Sequence, residues 1–268
     1  MASEEKYMRL AKGLALQAEG ETFPNPLVGA VVVKDKRIVG KGYHRRAGLA
    51  HAEVEALKQA GEKARGAALY VTLEPCSHFG RTPPCVDAIL KSGIKRVVVG
   101  MKDPNPLNNG KSIRFLRRRG IAVKVGVIEE ALRPMNAPFI KYITRGLPYI
   151  TIKAGQSLDG KIATESGESK WITAKKTREF THRLRRQYDA ILAGINTVLK
   201  DNPSLNCPGK RIKKIIVDSR LRLPLRARIF LKTRPEDIVV ATTALADKHK
   251  LRVLERRGVG VIKVRAKS

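Results

Sequence analysis

Four residues in the first third of the chain have the types and spacing for metal chemistry. His51 and Glu53 stand in HAEVEAL, and Cys76 and Cys85 stand in TLEPCSHFGRTPPC. Taken alone, the two cysteines read as a disulfide loop or, more readily, as two buried thiols. Taken with His51 they make a soft donor set, one imidazole and two thiolates, suited to tetrahedral zinc. Three protein ligands leave the fourth position to water, as a catalytic zinc requires. Two thiolates balance the metal's charge, so water there stays acidic near neutral pH. Glu53 would carry protons between that water and a substrate's nitrogens.

The elements that position these residues are constrained by geometry. Residues two apart on a regular helix do not share a face. His51 must therefore start the helix that AHAEVEALKQAGEKA predicts, which ends near Gly61. Cys85 follows Pro83-Pro84 at the start of a second helix, PPCVDAILKSG, where the helix dipole favours a thiolate. The apolar strand GAALYVTLEP leads into Cys76. Before these, residues 6–19 have helical spacing, and a hairpin is predicted from Val28–Val33 and Arg37–Gly42 around a Lys-Asp-Lys turn. After them, IKRVVVGMKDPNP is a buried-type strand, GKSIRFLRRRG a basic helix and IAVKVGVI a strand. Strands alternating with helices indicate an α/β sandwich.

RPMNAPFIKYITRGLPYI reads as a connection marked by Pro134, Pro138 and Pro148, which puts a domain boundary near Gly146. A second α/β domain is expected beyond it. YITIKAGQSLDGKIA reads as a strand and turn, TAKKTREFTHRLRRQY as a helix, and DAILAGINTVLKDNPSL as a strand leading into a loop. KKIIVDSRLRLP and DIVVATTA are strands, and GVGVIKV lies near the end.

Lys and Arg total 54 against 24 Asp and Glu, a formal net charge of +30. The excess runs through both halves, so there is no basic tail. Such a field attracts anions, from a phosphorylated metabolite to RNA. Aromatic residues are only 5% of the chain, which offers few platforms for stacked bases. No apolar run reaches transmembrane length, and the acidic N-terminus MASEEKYMRL is unlike a signal peptide. A cytoplasmic protein without a membrane partner is expected, with its three cysteines reduced.

His-Ala-Glu at a helix start, followed by a strand and then Pro-Cys…Pro-Cys before another helix, matches the zinc deaminase signature. The eight-residue interval SHFGRTPP is wider than the two residues usual in nucleoside and nucleic-acid deaminases. With PNPLVGAVVV, GYH and DPNP, it closely resembles the bifunctional riboflavin-biosynthesis family, in which a pyrimidine deaminase is fused to a reductase. The resemblance runs from about residue 4 to the end of the chain. It implies a cytidine-deaminase-like α/β/α sandwich over 1–146 and a dihydrofolate-reductase-like α/β domain over 147–268. It also implies that His51, Cys76 and Cys85 hold one zinc ion and that Glu53 is the proton shuttle. The implied substrate is 2,5-diamino-6-ribosylamino-4(3H)-pyrimidinone 5′-phosphate, contacted by Asn25, His44, Arg81, Asp103 and Asn105. Arg81 has a physical reason to be there, since the wide loop lets a guanidinium reach the 5′-phosphate. His78 lies between the cysteines but is read as shaping the loop, because His51 completes the ligand set.

LPYITIKAGQSLDGKIA and SGESKWIT resemble the family's NADPH-dependent reductase half, which reduces a ribosyl to a ribityl group. Lys153, Ser169, Arg185 and Leu205 fall on its substrate side. Gly155, Trp171, Thr197, Asp201 and Ser219 fall on its cofactor side. Where the family has Thr-x-Arg after DNPSL, this chain has Asn206-Cys207-Pro208, and Cys207 reads as a bystander. The family's reductase half also continues past Ser268 through an acidic-glycine-glycine segment, so a shortened half with weak or absent NADPH oxidation is expected, with an open sheet edge. Family members commonly self-associate, so a homo-oligomer is implied. The alternatives are a deaminase with a degraded reductase half and a basic nucleic-acid-acting zinc deaminase. The wide interval and GRTPPC disfavour a nucleic-acid partner.

Overall fold

Helix α1 (Ser3–Leu16) precedes a hairpin of β1 (Gly29–Lys34) and β2 (Arg37–Tyr43) in a computed structural model that describes residues 3–265. Then follow α2 (Ala52–Ala60), β3 (Ala68–Leu73), α3 (Cys85–Lys91), β4 (Arg96–Met101), α4 (Lys111–Arg118) and β5 (Ala122–Val125). The strands make one sheet in the order β2-β1-β3-β4-β5. β1 is antiparallel to β2 and β3, while β3, β4 and β5 are parallel. Val31, Val32, Leu69, Val71, Val97 and Val98 are all buried, so both faces of the central strands are covered, as their unbroken apolar runs require.

Glycines let α2 approach the sheet closely. A Cβ on Gly42 would lie 2.4 Å from the Ala52 carbonyl oxygen, and one on Gly40 would lie 2.1 Å from that of Ala56. Backbone packed this tightly fixes the height of α2, and with it the start of the helix that carries His51 and Glu53.

The stretch expected to be a connection is helical. It forms α5 (Glu129–Leu132), a 3₁₀ turn at Pro134–Asn136 and α6 (Ala137–Arg145), which ends on Gly146 in the left-handed region at φ 66°. Pro134 and Pro138 sit in first turns, where a missing N–H costs nothing, so they start helical turns instead of interrupting them. Contacts divide the chain into Met1–Lys153 and Ala154–Ser268.

The second unit contains α7 (Lys175–Leu184), β6 (Ala190–Gly194), α8 (Ile195–Asp201), β7 (Lys213–Val217), β8 (Ile238–Thr242), α9 (Lys248–Arg256) and β9 (Gly260–Lys263). Its four strands are parallel, in the order β6-β7-β8-β9. Ile195 and Val198 of α8, Ile216, Ile238, Val240, and Leu251 and Leu254 of α9 share its core. The alternate positions Leu192, Val217 and Ile262 are 64, 46 and 55% exposed.

Two expectations fail here. YITIKAG forms no strand: residues 147–156 have no regular structure, and Tyr149, Ile150 and Ile152 are exposed. Its alternation is strand-like, but no ladder pairs it among the described residues, and a strand without a neighbour leaves its backbone groups to water. The segment after β6 is helix α8, not a loop, because Ile195 and Val198 are spaced to meet the core on one helical face.

Candidate active site

The first sheet brings the chemistry-bearing residues to one end of its strands. β1 runs against β3, so the segment before β1, the segment after β2 and the segments after β3 and β4 all emerge at the same end. These supply Asn25, His44, Cys76 and Asp103. Helix α2 follows β2 with His51 at its N-cap, in extended conformation (φ −76°, ψ 161°), and helix α3 begins on Cys85 after Pro84. Both helix starts meet at this end, as the two-residue spacing of His51 and Glu53 demands.

The donor atoms of His51, Cys76 and Cys85 lie within 4.8 Å of one another. His51 Nδ1 is 3.1 Å from Cys85 Sγ and 3.5 Å from Cys76 Sγ. With bond lengths of roughly 2.0 Å to nitrogen and 2.3 Å to sulfur, tetrahedral zinc separates such atoms by about 3.5 Å. The three side chains therefore fit zinc in both chemistry and spacing. His51 Nε2, the other ring nitrogen, lies 3.3 Å from Thr82 Oγ1, which orients the imidazole with Nδ1 toward the sulfurs. A hydrogen bond from Cys85 pulls the Cys76 thiol down to about 4. The same hydrogen bond pushes Cys85 up, so without metal the pair keeps one proton between them. His51 is raised, chiefly by its hydrogen bond to Cys76.

Glu53 is 3% exposed, and burial pushes its carboxyl up to about 7, with the negative Cys76 adding to the rise. That places proton uptake and release near neutrality. His44 is buried and its pKa is lowered by desolvation. Its Nδ1 lies 3.1 Å from the Ala50 carbonyl, so Nδ1 donates there and Nε2 accepts from Asn25 Nδ2 at 3.0 Å. The Asn25 carboxamide is thereby held in the cavity wall.

Asn25, His44, Arg81, Asp103 and Asn105 line one cavity of about 240 Å³ together with Glu53 and the Cys76 turn. Arg81 is exposed at its rim, Cys85 lies behind it fully buried, and His78 lines the wall outside the three-residue donor group. Burial raises the Asp103 carboxyl above its ordinary range, against the lowering effect of its hydrogen bonds from Asn105 and Asn108.

Sequence reasoning missed three residues that hold these groups. Glu74 is buried at the end of β3, where its Oε2 accepts from the Asp103 and Gly110 amides at 3.2 and 2.9 Å. Its Oε1 accepts from Ser112 Oγ at 2.8 Å and from the Ile113 amide, so it also caps α4. Thr82 and Asn108 are the others. A carboxylate closing an apolar strand just before Pro75-Cys76 was the available signal for Glu74; Asn108 in LNNG looks like any turn residue.

In the second unit the residues singled out meet only in part. Ser169 Oγ donates to Asp201 Oδ1 at 3.1 Å, and the Arg185 guanidinium donates to the Asn206 carbonyl next to buried Leu205. Arg178 stacks over Trp171 at 4.1 Å. Thr197 is exposed on α8, Ser219 is exposed after β7, and Lys153 and Gly155 lie on the stretch without a ladder. A second cavity of about 600 Å³ is lined by Cys207, Lys210, Lys214 and Arg234 among others, and by none of these nine residues. Cys207 is a buried free thiol in that wall. Among the described residues the nine line neither cavity, and Ser169 with Asp201 is the pair of them joined by a side-chain hydrogen bond.

The cytidine and deoxycytidylate deaminase zinc-binding region matches residues 1–101, and the RibD C-terminal domain matches residues 148–268. The riboflavin biosynthesis protein RibD of Aquifex aeolicus is 54% identical over 263 residues, covering 97% of this chain and 73% of that protein. RibD of Escherichia coli is 47% identical over 235 residues, covering 86% of this chain and 64% of that one. Among solved structures, Acinetobacter baumannii RibD superposes with a TM-score of 0.87 at 40% identity, over 99% of this chain and 74% of that chain. The deaminase/reductase of Thermotoga maritima gives 0.83 at 41% identity, over 99% and 81%. With a deaminase zinc centre at one end of its first sheet and relatives matched across nearly its whole length, the chain belongs to the RibD family of riboflavin biosynthesis proteins.

Proposed function

We propose that the first unit hydrolyses the 2-amino group from 2,5-diamino-6-ribosylamino-4(3H)-pyrimidinone 5′-phosphate, giving the uracil and ammonia. The observation that carries this is the convergence of His51, Cys76 and Cys85 beside a carboxyl held near 7 in one cavity. His51, Cys76 and Cys85 would hold the zinc, which would supply Lewis acidity to a water molecule. Glu53 takes one proton from the water and gives it to the ring nitrogen as the carbon–oxygen bond forms, then carries the remaining hydroxyl proton to the amino group, so that the carbon–nitrogen bond breaks and ammonia leaves. Buried Asp103 and the fixed Asn25–His44 pair offer hydrogen bonds to the ring edge and ribose, and Arg81 at the rim meets the 5′-phosphate. The second unit is the reductase half, which takes the deaminated product and reduces its ribosyl group with NADPH. Cytoplasmic location and self-association belong to the same proposal.

A second reading, deamination without reduction, is favoured by one observation: among the described residues of the second unit, the singled-out side chains that come together are Ser169 with Asp201, and Arg185 with the backbone beside Leu205. Incubation with the diaminopyrimidine phosphate, with and without NADPH, followed by mass spectrometry, tests both. Exchange of an amino group for a hydroxyl is expected in both samples. Its absence would sink the deaminase assignment. Gain of two further hydrogens with NADPH would eliminate the second reading.

A further inference from the structure

The turn that carries Cys76 and the loop that carries Asp103 are joined by a single buried carboxamide. Asn108 is 0% exposed. Its Nδ2 donates to the Pro75 carbonyl at 3.0 Å and to Asp103 Oδ2 at 3.2 Å. Its Oδ1 accepts from the Ser77 amide at 3.1 Å and from Ser77 Oγ at 2.8 Å. A carboxamide has two N–H donors and two acceptor lone pairs, and all four are used. Pro75 and Ser77 are the two chain neighbours of Cys76, so three of the four bonds grip the turn around a metal ligand, and the fourth grips a carboxylate in the cavity wall.

The second grip matters because a carboxylate's last torsion is soft and nearly two-fold. Glu74 holds the Asp103 amide, which places the backbone but leaves the side chain free to rotate. The Asn105 amide takes Oδ1 at 2.9 Å, and Asn108 takes Oδ2. With both oxygens committed, the carboxylate in the cavity wall is held to one orientation. Asn108 thus refers that orientation to the position of Cys76. A buried polar group left unmatched is costly, whereas one with every bond made stiffens what it touches.

We infer that Asn108 is a positioning residue of the deaminase site: it sets the angle of the Asp103 carboxylate relative to the metal-binding turn, and through it the seat of the pyrimidine. This rests on the deaminase assignment and on Asp103 as a substrate contact.

The test is a double-mutant cycle of Asn108→Ala and Asp103→Ala, built in a Glu53→Gln background where turnover is too slow to disturb equilibrium binding. Kd for the diaminopyrimidine phosphate is read by calorimetry, with zinc content and melting temperature measured on the same proteins. Asn108→Ala is expected to weaken binding about tenfold while zinc stays stoichiometric, and to have no further effect once Asp103 is Ala. Should Asn108→Ala fold poorly, Asn108→Asp keeps the two acceptors for Ser77, removes both donors, and is expected to give the same pattern. Binding insensitive to Asn108, or weakened by the same factor with and without Asp103, would overturn the positioning role alone. Failure of the Glu53→Gln protein to bind the substrate at all would sink the deaminase assignment and this role with it.

Discussion

Glu53 shows how far a single side chain can be read from its surroundings. It is the second residue of a helix whose N-cap is His51, yet it is not itself within the three-residue donor group, and burial rather than a partner charge dominates its titration. Glu53→Gln keeps shape and burial but cannot exchange the proton. It is expected to lower kcat by about a thousandfold with zinc content unchanged, measured by ammonia release and metal analysis. The sign of the pH effect follows from the same shift. A carboxyl at 4.5 when unfolded and about 7 when folded contributes stability below 4.5 that is lost as pH rises through 7. In the metal-free protein, Glu53→Gln should therefore gain in melting temperature relative to wild type as pH rises across that interval. His51, Glu53, Cys76 and Cys85 were legible because their chemistry needs rare residue types at fixed positions relative to helix starts. Glu74, Thr82 and Asn108 were not, since each makes bonds that span 29 or more residues of chain.

At the scale of elements, the site exists because α2 lies low on the hairpin. Gly42 sits under Ala52 and Ala56, where a methyl group would meet backbone at 2.4 and 2.6 Å. Gly42→Ala must lift the helix that starts with His51. We expect a stability loss of about 1–3 kcal/mol, together with weaker retention of zinc against a chelator, read by denaturant unfolding and metal competition. A normal melting curve with normal zinc retention would show that α2 is not held by this contact. Element types in the first unit were legible where β1, β3 and β4 are continuous apolar runs and where α2 follows His51 and ends at Gly61. The proline-rich stretch misled because proline at a first helical turn and proline in a linker look alike in sequence. Helix α9 was overlooked: Leu251 and Leu254 are spaced for a buried face, but they stand among Lys248, Lys250, Arg252, Arg256 and Arg257. YITIKAG misled in the opposite direction, since alternation shows which face a strand would bury and not whether a neighbour exists to pair with it.

At the scale of the whole molecule, both α/β units were expected, and the comparisons bear out a deaminase-like first half and a dihydrofolate-reductase-like second. No helix among the described residues is long and apolar enough to cross a membrane. The net charge of +30 has no counterpart in the architecture beyond a field that attracts anionic substrates. The three residues proposed to hold zinc come from the start of α2, the segment after β3 and the start of α3, so they assemble only when these elements are in place. Metal that binds the folded chain and not the open one adds a term that grows with the logarithm of its free concentration, about 4 kcal/mol at a thousandfold excess over Kd. Chelation should lower the melting temperature of the first unit, and graded zinc buffers should raise it in even steps per decade. A melting temperature indifferent to both would mean that the three side chains hold no metal. The convergence of three elements on one ion thus makes the unit's thermostability a property of its medium: it has no single melting point, only one for each metal activity in the surrounding solution.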